Sequence, residues 1–188
     1  MRFVFAAILA ASVTACAAPG APKQYLLTAP EAASGAVALP TIGLREIALP
    51  LYARRPQIAA QEAGGAVSAS DDHRWADDPP RAATRLIARC LTAIGGGAVF
   101  QEPWPQSAAP GVIVAVEVDR FIGALGGDVV LEGVLIATDP TGKQRPATRP
   151  FLIEAPATGD DHGALAAAYG AALATLAEEL AAFLATGS

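Results

Sequence analysis

The sequence predicts an α+β fold: a mostly antiparallel or mixed β-sheet with two amphipathic helices packed on one face. Three observations carry that expectation. Apolar residues alternate along 112–119 and again along 129–136, which is the period of a strand. Two other stretches, one ending at Ile94 and one covering 163–185, place their apolar residues at helical spacing instead. The order runs strands, helix, strands, helix, and such grouped elements suit helices gathered on one face of a sheet.

The elements follow in chain order. Tyr25-Leu26-Leu27-Thr28 reads as a first strand, and 29–36, with Pro30, Ser34 and Gly35, as a loop. A strand is expected over 42–49, ended by Pro50. Ile58-Ala59-Ala60-Gln61 and Ala66-Val67-Ser68-Ala69 read as short paired strands about the Gly64-Gly65 turn. Asp77-Asp78-Pro79-Pro80 opens a helix, because acids cap free N–H groups and proline suits the first turn. Ala83, Leu86, Ile87, Cys90, Leu91 and Ile94 share one face of it, Arg81, Arg85 and Arg89 another, and Gly95-Gly96-Gly97 stops it.

Two strands with valines and leucines in alternation follow, at 112–119 and 129–136. Asp139-Pro140-Thr141-Gly142 has the residues of a type I turn, and Phe151-Leu152-Ile153-Glu154 returns as a third strand of an antiparallel meander. The last helix, at 163–185, aligns Leu165, Tyr169, Leu173, Leu176, Leu180 and Leu184, with Asp160 or Asp161 as its cap.

Composition narrows the classes. The 188 residues are 53% hydrophobic and 16% charged, and 45 are alanine. That is too apolar for a disordered chain. Thirteen basic side chains against eighteen acidic ones give a net charge of −5 and a pI of 5.0, where nucleic-acid binders are basic. The mean hydropathy of +0.38 raises the question of a membrane span. No uninterrupted apolar run reaches the ~20 residues a span needs, since Glu178-Glu179 breaks the C-terminal stretch.

The N-terminus explains part of that hydropathy. Arg2 precedes the apolar run from Phe3 to Leu9, and small residues lead to Val13-Thr14-Ala15-Cys16. This is the layout of a secretory signal over 1–15. Its end resembles a bacterial lipobox. The resemblance implies cleavage before Cys16, a diacylglyceryl group on the Cys16 thiol and acylation (commonly palmitate) of the new amine. Two or three acyl chains anchor stably, where one is marginal. Ala17, rather than Asp, after the cysteine favours the outer membrane under the usual sorting rule. Residues 16–22 would then be the lipidated N-terminus and a Pro/Gly/Ala tether, and 23–188 a single domain. The mature side chains carry twelve basic and eighteen acidic groups, a net of −6. With Cys16 acylated, Cys90 has no disulfide partner and reads as a buried structural thiol.

Further along, Leu49-Pro50-Leu51-Tyr52-Ala53-Arg54-Arg55-Pro56-Gln57-Ile58 resembles a Leu-Pro-x-Tyr-x-x-Arg-Pro-x-Ile segment of the ABC-type transport auxiliary lipoproteins, the PqiC/YmbA-like family. His73-Arg74-Trp75-Ala76 resembles their Arg-Trp-Ala motif before the first helix, and Asp77-Asp78-Pro79-Pro80 departs from the family's more usual Glu-Pro-Leu. The resemblance implies a non-catalytic accessory of an envelope transport system for lipids or other hydrophobic molecules. Its companions would be a mammalian-cell-entry (MCE) substrate-binding protein, a permease and a cytoplasmic ATPase. It implies a periplasm-facing protein with no cofactor, and leaves a homo-oligomer open.

The candidate partner-binding residues are Arg54, Arg55, Pro56, Gln57, Ile58 and Trp75. Arginine forks pair with carboxylates, and an exposed strand accepts another strand. The plainer readings are a solvated loop with a short strand, and a tryptophan that covers the core. The Arg81/Arg85/Arg89 row reads first as a solvated helix face. Two Asp-Asp-His triplets, at 71–73 and 160–162, hold metal-ligand types, but each precedes a predicted helix that its acids would cap. Two alternatives stand beside the accessory role. One is direct binding of a hydrophobic ligand in a groove between meander and helices. The other, weaker, is an envelope hydrolase or metalloenzyme, for which neither a Gly-x-Ser-x-Gly elbow nor a phosphate loop is present.

Overall fold

The computed structural model describes residues 20–30 and 37–186, so Cys16, its predicted signal and most of the tether lie outside the described residues. Among these residues an eight-stranded mixed sheet is organised around one long strand, β6 (Val112–Gly123). On one side β6 pairs antiparallel with β7 (Asp128–Thr138), which pairs antiparallel with β8 (Ala147–Pro156). This is the meander that the alternating valines and leucines predict. Gly142 N–H closes the connecting turn on the Asp139 carbonyl at 3.0 Å, and the Asp139 carboxylate accepts from Thr141, Lys143 and Gln144 backbone N–H groups. Donation from the Thr141 hydroxyl, together with those backbone bonds, holds the Asp139 carboxyl below the usual carboxylate range.

The other side of β6 is shared by two shorter groups. Near its start β6 pairs in parallel with β2 (Ile42–Leu44), which pairs in parallel with β5 (Val99–Gln101). At its end it meets β3 (Gln57–Gln61) through Ala60 and Gly123. β3 continues into antiparallel β4 (Val67–Trp75) across the expected glycine turn, and β4 carries parallel β1 (Lys23–Tyr25) on its far side. The sheet therefore forks along β6.

Three predicted strands differ in extent. The first covers Lys23–Tyr25 rather than 25–28: Leu26 points outward at 65% exposure, while Leu27 turns into the core. The strand expected over 42–49 breaks after Leu44, where Ile47 N–H leaves the ladder and donates to Thr84 Oγ1 at 3.0 Å; Ala48 then rejoins β6. β4 runs through Asp71-Asp72-His73, so those acids lie within a strand and cap no helix.

Both helices lie where the periodicity puts them. α1 (Pro79–Gly95) is capped by Asp78, whose carboxylate accepts from Arg81 N–H at 3.2 Å, and it ends with Gly96 in the left-handed conformation. α2 (His162–Thr186) is capped by Asp161, which accepts from Ala164 N–H at 2.8 Å. α2 is long and apolar enough to cross a membrane, yet its leucines are buried inside the protein. Leu165, Leu173, Leu176 and Leu180 are wholly buried with Leu131 and Leu135 of β7 and Leu86, Ile87 and Leu91 of α1 in one core. Each such side chain removed from water stabilises the fold by about 1.5–3 kcal/mol before entropic costs.

Candidate functional site

The segment from Pro50 to Ile58 divides by depth. Pro50 opens a single 3-10 turn over Leu51–Arg54, closed by Ala53 N–H on the Pro50 carbonyl at 2.9 Å. Ala53 faces the core. Tyr52 Oη accepts from Phe121 N–H at 2.9 Å, which pins the turn to β6. Leu51 (74% exposed), Arg54 and Arg55 are left facing solvent. Pro56 is exposed, and its carbonyl accepts from Trp75 N–H at 2.7 Å. Gln57 Nε2 donates to Asp71 Oδ1 at 2.9 Å. Ile58 is completely buried, with β4 along one flank of β3 and β6 meeting the other at Ala60, so its side chain presents no surface to a partner. The surface that remains available is a corner with one leucine and two arginines.

Trp75 closes β4 at 9% exposure and meets Tyr169 edge-on, ring centroids 5.5 Å apart at 81°. Phe121 meets the same tyrosine edge-on at 4.7 Å. Tyr169 Oη donates to the Ala59 carbonyl at 3.0 Å and accepts from Gly123 N–H at 3.1 Å, joining α2 to both strands at the fork. Burial pushes its phenol well above the ordinary value. Leu27, Trp75, Phe121 and Tyr169 close around a gap of only about 10 Å³. Trp75 is thus a packed cover over the core.

Beside Trp75 a shallow groove of about 270 Å³ runs between residues 25–28 and α1. Leu26, Leu27 and Ala82 supply its apolar wall, and Arg85 and Arg89 its cations. Arg85 is ion-paired with Asp77, so the arginine row is partly neutralised. Backbone N–H donation from Asp78, together with Arg85, holds the Asp77 carboxyl below its usual range. Cys90 is buried on the inner face of α1, and its thiol is pushed up by that burial, away from the reactive thiolate.

The two Asp-Asp-His triplets meet. His73 of β4 and His162 at the start of α2 stack with ring centroids 3.7 Å apart and planes within 5°. Tyr25 Oη lies 2.9 Å from His73 Nδ1. Among the described residues no three His, Cys, Asp or Glu side chains converge in a way that could hold a metal ion. Sequence reasoning singled out both histidines but not their pairing, because nothing in their spacing reveals that β4 and the start of α2 adjoin.

Comparison with known proteins agrees with this architecture. The family model described as "ABC-type transport auxiliary lipoprotein component" matches residues 25–181. Among curated proteins none matches the chain. A crystal structure of an uncharacterized protein superposes with a TM-score of 0.72 at 17% identity, over 87% of this chain and 99% of that one. Protein XCC0632 from Xanthomonas campestris superposes with a TM-score of 0.68 at 19% identity, over 87% of this chain and 95% of that one. At such identities the two structures establish the shared fold alone. The family match spans β1 to the last turns of α2 and includes both segments whose residues resemble the family, and the chain belongs to the ABC-type transport auxiliary lipoprotein component family.

Proposed function

We propose that the protein is a lipid-anchored, periplasm-facing lipoprotein of the outer membrane. It serves an MCE-type ABC system for lipids or other hydrophobic molecules as a non-catalytic auxiliary. The observation that carries this reading is the family match over 25–181, preceded in the same chain by a signal-like segment and a lipobox ending at Cys16. Residues 1–15 are removed, Cys16 carries the lipid, 16–22 form the tether, and 23–188 form the domain that works at the membrane surface. Anchoring falls to lipid because the mature side chains are net acidic and are repelled by anionic headgroups.

Two features support a partner-docking role over ligand carriage. Among the described residues the interior between the meander and the helices is filled by leucines and Tyr169, and the grooves left where the meander meets α2, of about 240 and 360 Å³, lie at the surface. The Leu51/Arg54/Arg55 corner combines an exposed apolar side chain with two cations that have no ion pair among the described residues, a composition suited to an acidic, partly apolar surface on the MCE protein or permease.

The test is co-purification from native membranes. Full-length protein is expected to recover the MCE protein and permease, and the charge-reversed pair Arg54→Glu/Arg55→Glu to lose them while remaining membrane-bound. Cys16→Ser is expected to release the protein from membranes when it is expressed without those partners. Recovery of neither MCE protein nor permease sinks the system assignment. A Cys16→Ser protein that still sediments with membranes on its own sinks the anchor.

A further inference from the structure

The chain contains two histidines, and the fold presses them face to face at 3.7 Å. What they join is specific. His73 pairs in register with Lys23 across the β1–β4 ladder, and Tyr25 Oη reaches His73 Nδ1. His162 is the first residue of α2. Residues 23–28 run on from there as a strap against α2. A Cβ at Gly163 would lie 3.8 Å from the Tyr25 ring, and one at Gly170 only 1.8 Å from the Thr28 carbonyl oxygen. Leu27 is inserted into the core between those two points. Glycine at 170 is what lets the strap backbone lie directly on the helix.

We propose that the Tyr25–His73–His162 stack is a pH-operated latch, which clamps the strap at residues 23–28 to α2 when the rings are neutral and lets it loosen when both are protonated.

The surroundings set the sign. Two stacked imidazolium rings would be like charges in contact. His162 also lies at the amino end of α2, where the helix dipole disfavours a cation. From β1, Lys23 adds a further positive charge. Before α2, Asp161 opposes these by attracting the His162 cation, but its carboxylate is already engaged by Ala164 N–H. Asp160 precedes Asp161, with its Cα and Cβ beside Gly126 of the β6–β7 connection. Along β4, Asp72 accepts from the Ser70 hydroxyl, and Arg74 is paired with Asp71. The His162 pKa is lowered below the ordinary histidine value, first by burial and next by His73. The loosened state therefore binds more protons than the latched one. The latch contributes fully above about pH 6.5, the unperturbed histidine value, and is lost as pH falls through the lowered one. The carboxyls of Asp71, Asp77 and Asp161 are all held below their usual range and stay ionised across this window.

Loosening has a defined consequence. The strap is one wall of the groove beside Trp75, so its departure uncovers Leu27's site and opens that groove along α1. If the domain is anchored through Cys16 as proposed above, the latch would couple acidity around it to the segment that joins it to the membrane.

Amide hydrogen exchange on the full chain, corrected for intrinsic rates, tests this between pH 8 and pH 5. Protection at residues 23–28, and at Ala76 N–H, which donates to the Tyr25 carbonyl at 2.8 Å, should fall at least about ten-fold, while the β6–β7 ladder keeps its protection. The double variant His73→Gln/His162→Gln should be flat across the range. Uniform protection in the wild type, or an unchanged pH response in the double variant, overturns the latch. If the double variant fails to fold, NMR titration of the two wild-type rings decides. Two separated, mutually coupled steps that track strap exchange support the latch, and independent superimposed titrations overturn it.

Discussion

Along the meander, β6, β7 and β8 pair residue by residue, from Ile113 opposite Thr138 to Asp128 opposite Pro156. Across the fork, β3 and β6 share only Ala60 and Gly123, and β2 meets β6 over three residues. The two halves of one sheet are thus held by different means. The meander satisfies its backbone by its own ladder. The forked half is completed by side-chain hydroxyls from other elements: Thr84 of α1 on Ile47 N–H, Tyr52 on Phe121 N–H, and Tyr169 of α2 on both Ala59 and Gly123. A ladder tolerates side-chain change because its bonds are backbone bonds. A hydroxyl stitch fails when one oxygen is removed, because the buried group it served is left without a partner.

The meander does have one weak point, and it gives the largest expected effect. At the bulge between Val118 and Arg120, β6 crowds β7, and a Cβ at Gly133 would lie 2.1 Å from the Glu117 carbonyl oxygen and 2.9 Å from the Phe151 ring. Both neighbours are fixed, one as backbone and the other as a buried side chain. Gly133→Ala should cost about 3 kcal/mol or more in denaturant unfolding, at or above the upper end of overpacking costs. A change below ~1 kcal/mol would mean that the bulge yields, and the meander would then be less rigid than its register implies.

Tyr169→Phe attacks the fork with almost no change of shape. It removes the acceptor of Gly123 N–H and the donor to the Ala59 carbonyl, both buried, while leaving the edge-on contacts with Trp75 and Phe121 in place. Each orphaned group costs about 1–3 kcal/mol, so a loss of about 3 kcal/mol is expected. Hydrogen exchange should localise it: β3 and the end of β6 lose protection first, and β7–β8 keep theirs until global unfolding. Uniform loss across all strands would remove the distinction between the halves.

The same contrast explains which parts of the fold could be read in advance. α1, α2 and the meander repeat one apolar period over many residues, so Leu86 to Ile94, Leu165 to Leu184 and Val112 to Leu135 announce both their type and their buried face. β1, β2 and β5 are three-residue strands whose parallel partners lie far away in sequence, and three residues carry no period. β4 is Val-Ser-Ala-Ser-Asp-Asp-His-Arg-Trp, too polar for apolar alternation, so its acids read as helix caps although they belong to a ladder. Within the candidate docking segment, Arg54 and Arg55 face outward, whereas burial of Ile58 follows from β3 being interior, a fact of topology that its residue type does not disclose. The histidine pair was unreadable for the same reason: two triplets gave residue types, and only the meeting of β4 with α2 gave a distance.

Thr84→Val is the smallest of the three tests and the sharpest. Thr84 is a buried polar residue of the core; its hydroxyl donates to the Pro80 carbonyl at 2.7 Å and accepts from Ile47 N–H at 3.0 Å. Valine fills the same volume, so no cavity accompanies the change and the hydroxyl alone is removed. Ile47 N–H is stranded where the chain bulges out of the ladder between Leu44 and Ala48, and burial denies it water. The expected cost is about 2 kcal/mol, with the exchange of Ile47 accelerated well beyond that of Val114 and Val116 on the facing strand. If Ile47 keeps its protection, the chain between β2 and Ala48 has re-formed a ladder bond with β6. The break after Leu44 would then be a choice imposed by Thr84 and α1 rather than by the strand's own sequence, and the fork would owe its shape to a helix packed above it.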